Sequence, residues 1–196
     1  KTEKHVLIRD TVDCSVKGRV GTGKGAKILL SDEFETAITN ADGMPRGLKN
    51  IPEAGAKPWQ AKMAGNNKYA EVSGFATNQP AVVSWLIMPP VNLANSANEV
   101  LSFKTRDGFD NGAVLQVFAS TNYDGGNTPS KAKWVPLKAV ISKGSVTGFA
   151  ANWISSGSVS LSSFSGTIYI AFRYDGADPV AVFDKRTTSF HLDEVR

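Results

Sequence analysis

From Ile28 to Val195 the chain repeats one pattern: a short run with a hydrophobic residue at every second position, closed by a cluster of Asp, Asn and Gly. A period of two suits a β-strand with one face in a core and the other in water, and it is incompatible with an amphipathic helix. In Val100–Thr105, Leu101, Phe103 and Thr105 fall on one side, Ser102 and Lys104 on the other. In Val114–Ser120, Leu115, Val117 and Ala119 oppose Gln116 and Phe118, and in Thr167–Tyr174 the residues Ile168, Ile170, Phe172 and Tyr174 share a face. Ile28–Phe34, Tyr69–Phe75, Trp134–Val140 and Ser189–Val195 read as further strands. Val82–Met88 is almost continuously apolar and stops at Pro89-Pro90, as a buried strand does. Asp107-Gly108, Asn111-Gly112, Asp124-Gly125-Gly126 and Asp175-Gly176 supply turns between these runs.

Strands of this number and spacing predict an all-β fold, a two-sheet antiparallel jelly-roll sandwich over residues 28–196, with the first and last strands adjacent. Leu101, Phe103, Leu115, Val117, Ile170, Phe172, Trp85 and Trp134 are the expected core. Residues 1–27 read as a linker or the tail of a preceding domain. Their Gly21-Thr22-Gly23-Lys24-Gly25 run lacks the spacing and the following helix of a phosphate-binding loop. The polar stretch Thr36–Lys68 reads as a long loop, and loops of that length tend to carry function.

Composition narrows the classes of function. An apolar share of 41% is enough for one core, and the net charge of +4 is dispersed rather than gathered with aromatics on one face, so no nucleic-acid partner is expected. Cys14 is the single cysteine, which leaves no internal disulfide and no cysteine zinc site. No run approaches the length of a membrane span. Lys1 opens a charged stretch without the apolar centre of a signal peptide, so the protein is either cytosolic or a mature or trimmed form, and the motifs described below favour the second.

Read in order, Phe34-Glu35, Trp59, Tyr69-Ala70, Trp85 to Leu93, Leu101-Ser102-Phe103, Leu115 to Thr121, Trp134-Val135-Pro136-Leu137, Val159 to Gly166, Ile170 to Tyr174 and Leu192-Asp193-Glu194-Val195 form a series. This series resembles the choice-of-anchor J and cleaved-adhesin group of jelly-roll domains, in particular those of surface lipoproteins in gut Bacteroidota. The resemblance spans residues 28–196. It implies a galactose-binding-like or MAM-like sandwich in an extracellular or cell-surface, outer-membrane lipoprotein setting. It names no ligand.

Three sets of residues carry candidate chemistry. Glu33 and Glu35, two apart on an expected strand, share a face while Phe34 points to the core. With Asp193 on the neighbouring last strand they form a hard-oxygen set suited to structural calcium, and the resemblance favours Glu35 and Asp193. The loops Arg106–Gly112 and Thr121–Asn127 each set an aromatic among short polar side chains. Asp107, Phe109, Asp110, Asn111, Tyr123 and Asp124 are therefore candidates for binding a glycan, unless Asp-Gly and Asn-Gly serve only as turns. Trp59, in the long polar stretch, is the candidate stacking platform; Trp153 reads as core or rim.

The expected function is a non-catalytic extracellular binding module of a bacterial surface protein, carbohydrate-binding or adhesive, whose partners are a glycan or a neighbouring domain of the same polypeptide. A structural spacer with no small ligand is the alternative. A jelly-roll glycoside hydrolase is the third reading, but the acids stand at a strand start rather than alternating along a central strand. His5 and His191 both lie near the termini, so no Ser-His-Asp arrangement is suggested, and the chain is not expected to be an enzyme.

Overall fold

The computed structural model describes residues 27–40, 43–181 and 183–196. The expected linker at 1–27 falls, apart from Lys27, outside them. Thirteen strands follow in chain order: β1 (Lys49–Ala54), β2 (Gln60–Ala64), β3 (Asn67–Val72), β4 (Val82–Ile87), β5 (Val91–Asn92), β6 (Val100–Leu101), β7 (Lys104–Gly108), β8 (Val114–Ser120), β9 (Val135–Pro136), β10 (Ile154–Ser155), β11 (Val159–Ser160), β12 (Thr167–Gly176) and β13 (Ser189–Asp193). Pro129–Lys131 forms a short 3-10 turn.

The first sheet runs β1-β4-β12-β8-β9, with β5 beside the start of β12; the second runs β10-β7-β13-β3-β2, and β6 pairs with β11 in a small ribbon. Each pairing of named strands is antiparallel. The chain is thus the two-sheet jelly-roll sandwich that its alternation predicts. Leu86, Phe172 and Val117 lie opposite one another across β4, β12 and β8. They meet Ala70, Val72, Phe190 and Leu192 of the second sheet in one core that also holds Phe34, Leu101 and Phe103. Phe103 meets Phe172 edge-on at 5.0 Å.

Four local expectations are corrected. Ile28–Phe34 is not a strand: Asp32 makes a single antiparallel bridge to Val195, and Phe34 adopts a left-handed φ of 55°. The alternation that would put Glu33 and Glu35 on one face therefore fails, although Phe34 does enter the core. The long polar stretch contains β1, β2 and the first residues of β3. Its KNIPEA and QAKMA segments have weak strand propensity, but both lie at sheet edges, where Pro52 is tolerated and pairing to a neighbour decides. Val100–Thr105 is broken, because Leu101 pairs with Val159 while Thr105 pairs with Leu192. Of Trp134–Val140 only Val135–Pro136 joins a ladder.

Candidate functional site

Trp59 is fully buried in the main core, with its backbone clamped by the Asn50 side chain: Asn50 Nδ2 donates to the Trp59 carbonyl at 2.7 Å and Asn50 Oδ1 accepts from its N–H at 2.9 Å. It cannot be a stacking platform. The loop candidates are mostly spent on holding their own loops. Asp107 is 1% exposed and accepts from the Ser142 hydroxyl at 2.6 Å and the Ser145 N–H at 2.8 Å. Asp110 accepts from the Gly144 N–H and the Thr188 hydroxyl, and Asn111 exchanges bonds with Thr187. Asp124 closes a turn on the Gly126 N–H, and the buried Tyr123 hydroxyl donates to the Gly126 carbonyl. Phe109, 52% exposed, stands out with Asn111 and Asp124, whose side chains are nonetheless bonded within their own loops.

The three proposed metal ligands are dispersed among different partners. Glu33 accepts from Arg196 Nη2 at 2.6 Å, Glu35 from the Lys68 N–H at 3.0 Å, and Asp193 from Asn67 Nδ2 at 2.9 Å. Glu35 and Asp193 do converge on the consecutive residues Asn67 and Lys68. Among the described residues no three acidic, His or Cys side chains gather around one centre. Burial raises the Asp32 and Asp193 carboxyls above the usual range, and the neighbouring Glu33, with Glu194 for Asp193, adds to it.

Aromatic residues gather on the outer face of each sheet instead. On the first sheet, Trp85, Phe118, Tyr123, Trp134 and Tyr169 pack with Ile87 and Ala171. Trp85 and Trp134 are expected in the core; Trp85 is indeed buried and Trp134 half-buried, but in this second cluster, because the register places Trp85 opposite Arg173, one position out of phase with Leu86 and on the outer face. This cluster is closed: Trp85 Nε1 donates to Glu53 at 2.8 Å, Arg173 lies 5.5 Å over the Trp85 ring, and Arg173 pairs with Asp175 at 2.8 Å.

On the second sheet, the outward positions of three adjacent strands bring together Tyr69 and Glu71 (β3), His191 (β13) and Arg106 (β7). His191 is 1% exposed, because Tyr69 and Phe149 cover its two sides, each with its ring centroid at 4.3 Å and tilted by about 30°. Trp153 meets Tyr69 edge-on at 5.7 Å, and Phe109 meets Phe149 edge-on at 5.4 Å. Phe149 reaches this face because Gly108 has no side chain; a Cβ there would sit 2.4 Å from Phe149 Cδ1.

Polar bonding within the patch fixes a tautomer. Arg106 Nε and Nη2 approach His191 Nδ1 at 3.2 and 3.0 Å, and a guanidinium can only donate. Nδ1 is therefore the acceptor, and Nε2–H donates to Glu71 Oε2 at 2.7 Å. Burial, with the adjacent Arg106 charge, pushes the His191 pKa down despite the Glu71 contact. Burial alone would raise Glu71, but the His191 bond and the Lys62 and Lys57 charges hold it below the usual range. The Arg106 guanidinium carbon lies 5.1, 5.7 and 5.9 Å from the ring centroids of Trp153, Phe149 and Tyr69. Such a caged cation beside partly exposed rings can stack on a flat ligand and donate hydrogen bonds to it.

Sequence reading passed over this patch because it weighed the turns and not the outward strand positions. The signal was present: Arg106 alternates with Thr105 and Asp107, and His191 with Phe190 and Leu192. Phe149 and Trp153 come from the irregular segment before β10, where no periodicity marks them.

No family model matches the chain, and no curated protein matches it either. Among solved structures, the fold is similar to cleaved adhesin domains of Lys-gingipain, two of them described as from Porphyromonas gingivalis. One is 21% identical with a TM-score of 0.54, over 85% of this chain and 95% of that one. A second is 20% identical with a TM-score of 0.55, over 85% and 97%. A third is 16% identical with a TM-score of 0.58, over 85% and 95%. At these identities the likeness is one of fold. No helix among the described residues is long and apolar enough to cross a membrane.

Proposed function

We propose that this chain is a non-catalytic binding module of a bacterial surface protein, and that it takes carbohydrate on the outer face of the second sheet. The observation that carries this reading is the patch of Tyr69, Phe149, Trp153 and Arg106, held in place by the buried His191. Sugar recognition needs a flat ring against the pyranose face and fixed polar groups for its hydroxyls, and few moving parts on binding. The similarity of fold to cleaved adhesin domains is in keeping with it.

The test is affinity electrophoresis and titration calorimetry of the chain against a panel of plant, bacterial and host polysaccharides. Trp153→Ala is expected to weaken binding by about tenfold or more, whereas Trp134→Ala on the first sheet leaves it within about twofold. Retention of no polysaccharide would favour the spacer reading instead. Binding that survives Trp153→Ala intact would place the site elsewhere.

Structural calcium is proposed as a separate feature. The oxygens of Glu33, Glu35 and Asp193 are the right kind of donor, and a cation would relieve the Asp193 carboxyl, which burial and the neighbouring Glu194 and Glu33 disfavour. Lys68 and Arg196 are the cations it would compete with.

A further inference from the structure

We propose that the ligand of the second-sheet patch is an anionic saccharide, bearing a carboxylate or sulfate, and that Arg106 is the residue that takes the anion. This rests on the carbohydrate reading and narrows it. Five arginines lie among the described residues. Arg173 and Arg186 both approach Asp175, at 2.8 and 3.7 Å, and Arg196 pairs with Glu33 at 2.6 Å. Arg46 is exposed to water. Arg106 differs from all four: it is half-buried, and among the described residues no carboxylate stands within ion-pair distance of it.

What surrounds Arg106 is neutral. Two of its nitrogens donate to the neutral His191 ring, and three aromatic faces stand around it. Glu71 takes the His191 Nε2–H, while Arg106 approaches the ring at Nδ1. Removing a guanidinium from water without a countercharge is unfavourable, and cation–π contacts compensate only in part. A guanidinium carries five N–H groups in a rigid fork that matches a carboxylate or sulfate edge. The bonds to His191 leave donors over for a ligand.

Local charge points the same way. Lys62 pairs in register with Tyr69 on the neighbouring strand, and Lys62 and Lys57 both act on Glu71. The Lys62 ammonium itself bonds Asn40 Oδ1 at 3.1 Å, so both lysines add positive potential near the patch without pairing with Arg106's ligand face. The first sheet offers the contrast: a similar aromatic cluster with an arginine over a tryptophan, but there Asp175 and Glu53 close the polar groups. Only the second-sheet patch leaves a charge to be answered. His191 acts as a positioning residue, since its lone pair at Nδ1 sets the plane of the guanidinium.

The decisive comparison needs no variant. Polygalacturonate and its carboxyl-reduced galactan form, and carrageenan and its desulfated form, are titrated against the whole chain by calorimetry at low and moderate salt. Uronate and sulfate arms then separate the two sources of negative charge. At least one acidic polymer is expected to bind about tenfold tighter than its neutralised counterpart, with affinity falling as salt rises. Arg106→Gln should abolish that preference, Arg106→Lys should retain part of it, and Trp153→Ala should weaken both forms alike. Polyglutamate should bind no better than the neutral polymers. Equal binding of acidic and neutralised forms by the wild type overturns the anion assignment while leaving carbohydrate binding intact. Tight polyglutamate binding also overturns it, because charge alone would then suffice. If no polysaccharide of either kind binds, both readings fail.

Discussion

Replacing Gly108 with alanine would dismantle the patch without touching any residue that faces a ligand. Gly108 does not have a left-handed φ, so an alanine fits its backbone. The added Cβ, however, would lie 2.4, 2.8 and 2.9 Å from Cδ1, Cε1 and Cγ of Phe149. The Phe149 backbone cannot retreat easily, because Gly108 and Phe149 form a bridge flanked by Phe109 N–H to Gly148 O at 3.1 Å and Ala150 N–H to Asp107 O at 2.9 Å. The ring must therefore swing off His191. That forfeits ring contacts worth about 0.5–1.5 kcal/mol each, with His191 and Phe109, and a cation–π contact worth about 0.5–1 kcal/mol with Arg106. Against this, alanine gains about 0.4–1 kcal/mol by restricting the unfolded chain. The net is a loss of about 0.5–3.5 kcal/mol, centred near 2, or roughly 1–14 °C in melting temperature for a domain of this size. Thermal melts and denaturant titration measure the loss. A nuclear magnetic resonance titration of His191 should show its pKa rising toward the ordinary 6.5, as water reaches the ring. An alanine variant as stable as wild type, with an unchanged His191 titration, would refute the claim that Gly108 exists to seat Phe149.

Further outcomes follow from the same contacts. Because the folded His191 pKa lies below its unfolded value of 6.5, its contribution is complete above 6.5 and is lost as pH falls through the folded value. Glu71, held below 4.5, acts in the same direction further into acid. Melting temperature should therefore drop from about pH 7 to about pH 5, and less so in His191→Asn. If calcium bridges the terminal segments, about 100-fold excess over its Kd raises stability by about 2.7 kcal/mol, chelator reverses the gain, and Asp193→Ala removes the response in melts. Trp59→Ala should cost about 3–5 kcal/mol in denaturant titration, as the loss of a fully buried indole does, rather than act through ligand contacts.

The fold was legible wherever a strand has one wet and one dry face. β8 and β12 show that alternation in the letters themselves, and the expected inward faces are the buried ones. β4 misled, because a closed aromatic cluster covers its outer face, so both phases are apolar and Trp85 looks like core. β1 and β2 were invisible for the opposite reason: edge strands have a partner on one side only and can be built from Lys, Asn, Pro, Gln and Met. In the site, turn chemistry hid the function of the loops. Asp107, Asp110 and Asn111 look like ligand-binding residues, but their oxygens meet backbone and hydroxyl groups three or more decades of residues along the chain. No local pattern announces such a partner. Arg106 was in plain view; that no carboxylate faces it could emerge only from the assembled sheet.

The bridge between Asp32 and Val195 also determines how the domain meets a pulling force. Each residue both gives and receives a backbone hydrogen bond at 2.9 Å, and the next residue, Arg196, does the same with Ser102. In an antiparallel pair the chain leading into Asp32 and the chain leaving Val195 depart from the same end, with the bonds lying across the strands. Tension applied through those two points peels the contacts apart one after another, and never loads them together in shear. Such a domain, set in series within a longer polypeptide under drag, would hang to one side of the line of force. Its terminal clasp would yield early, as a mechanical fuse.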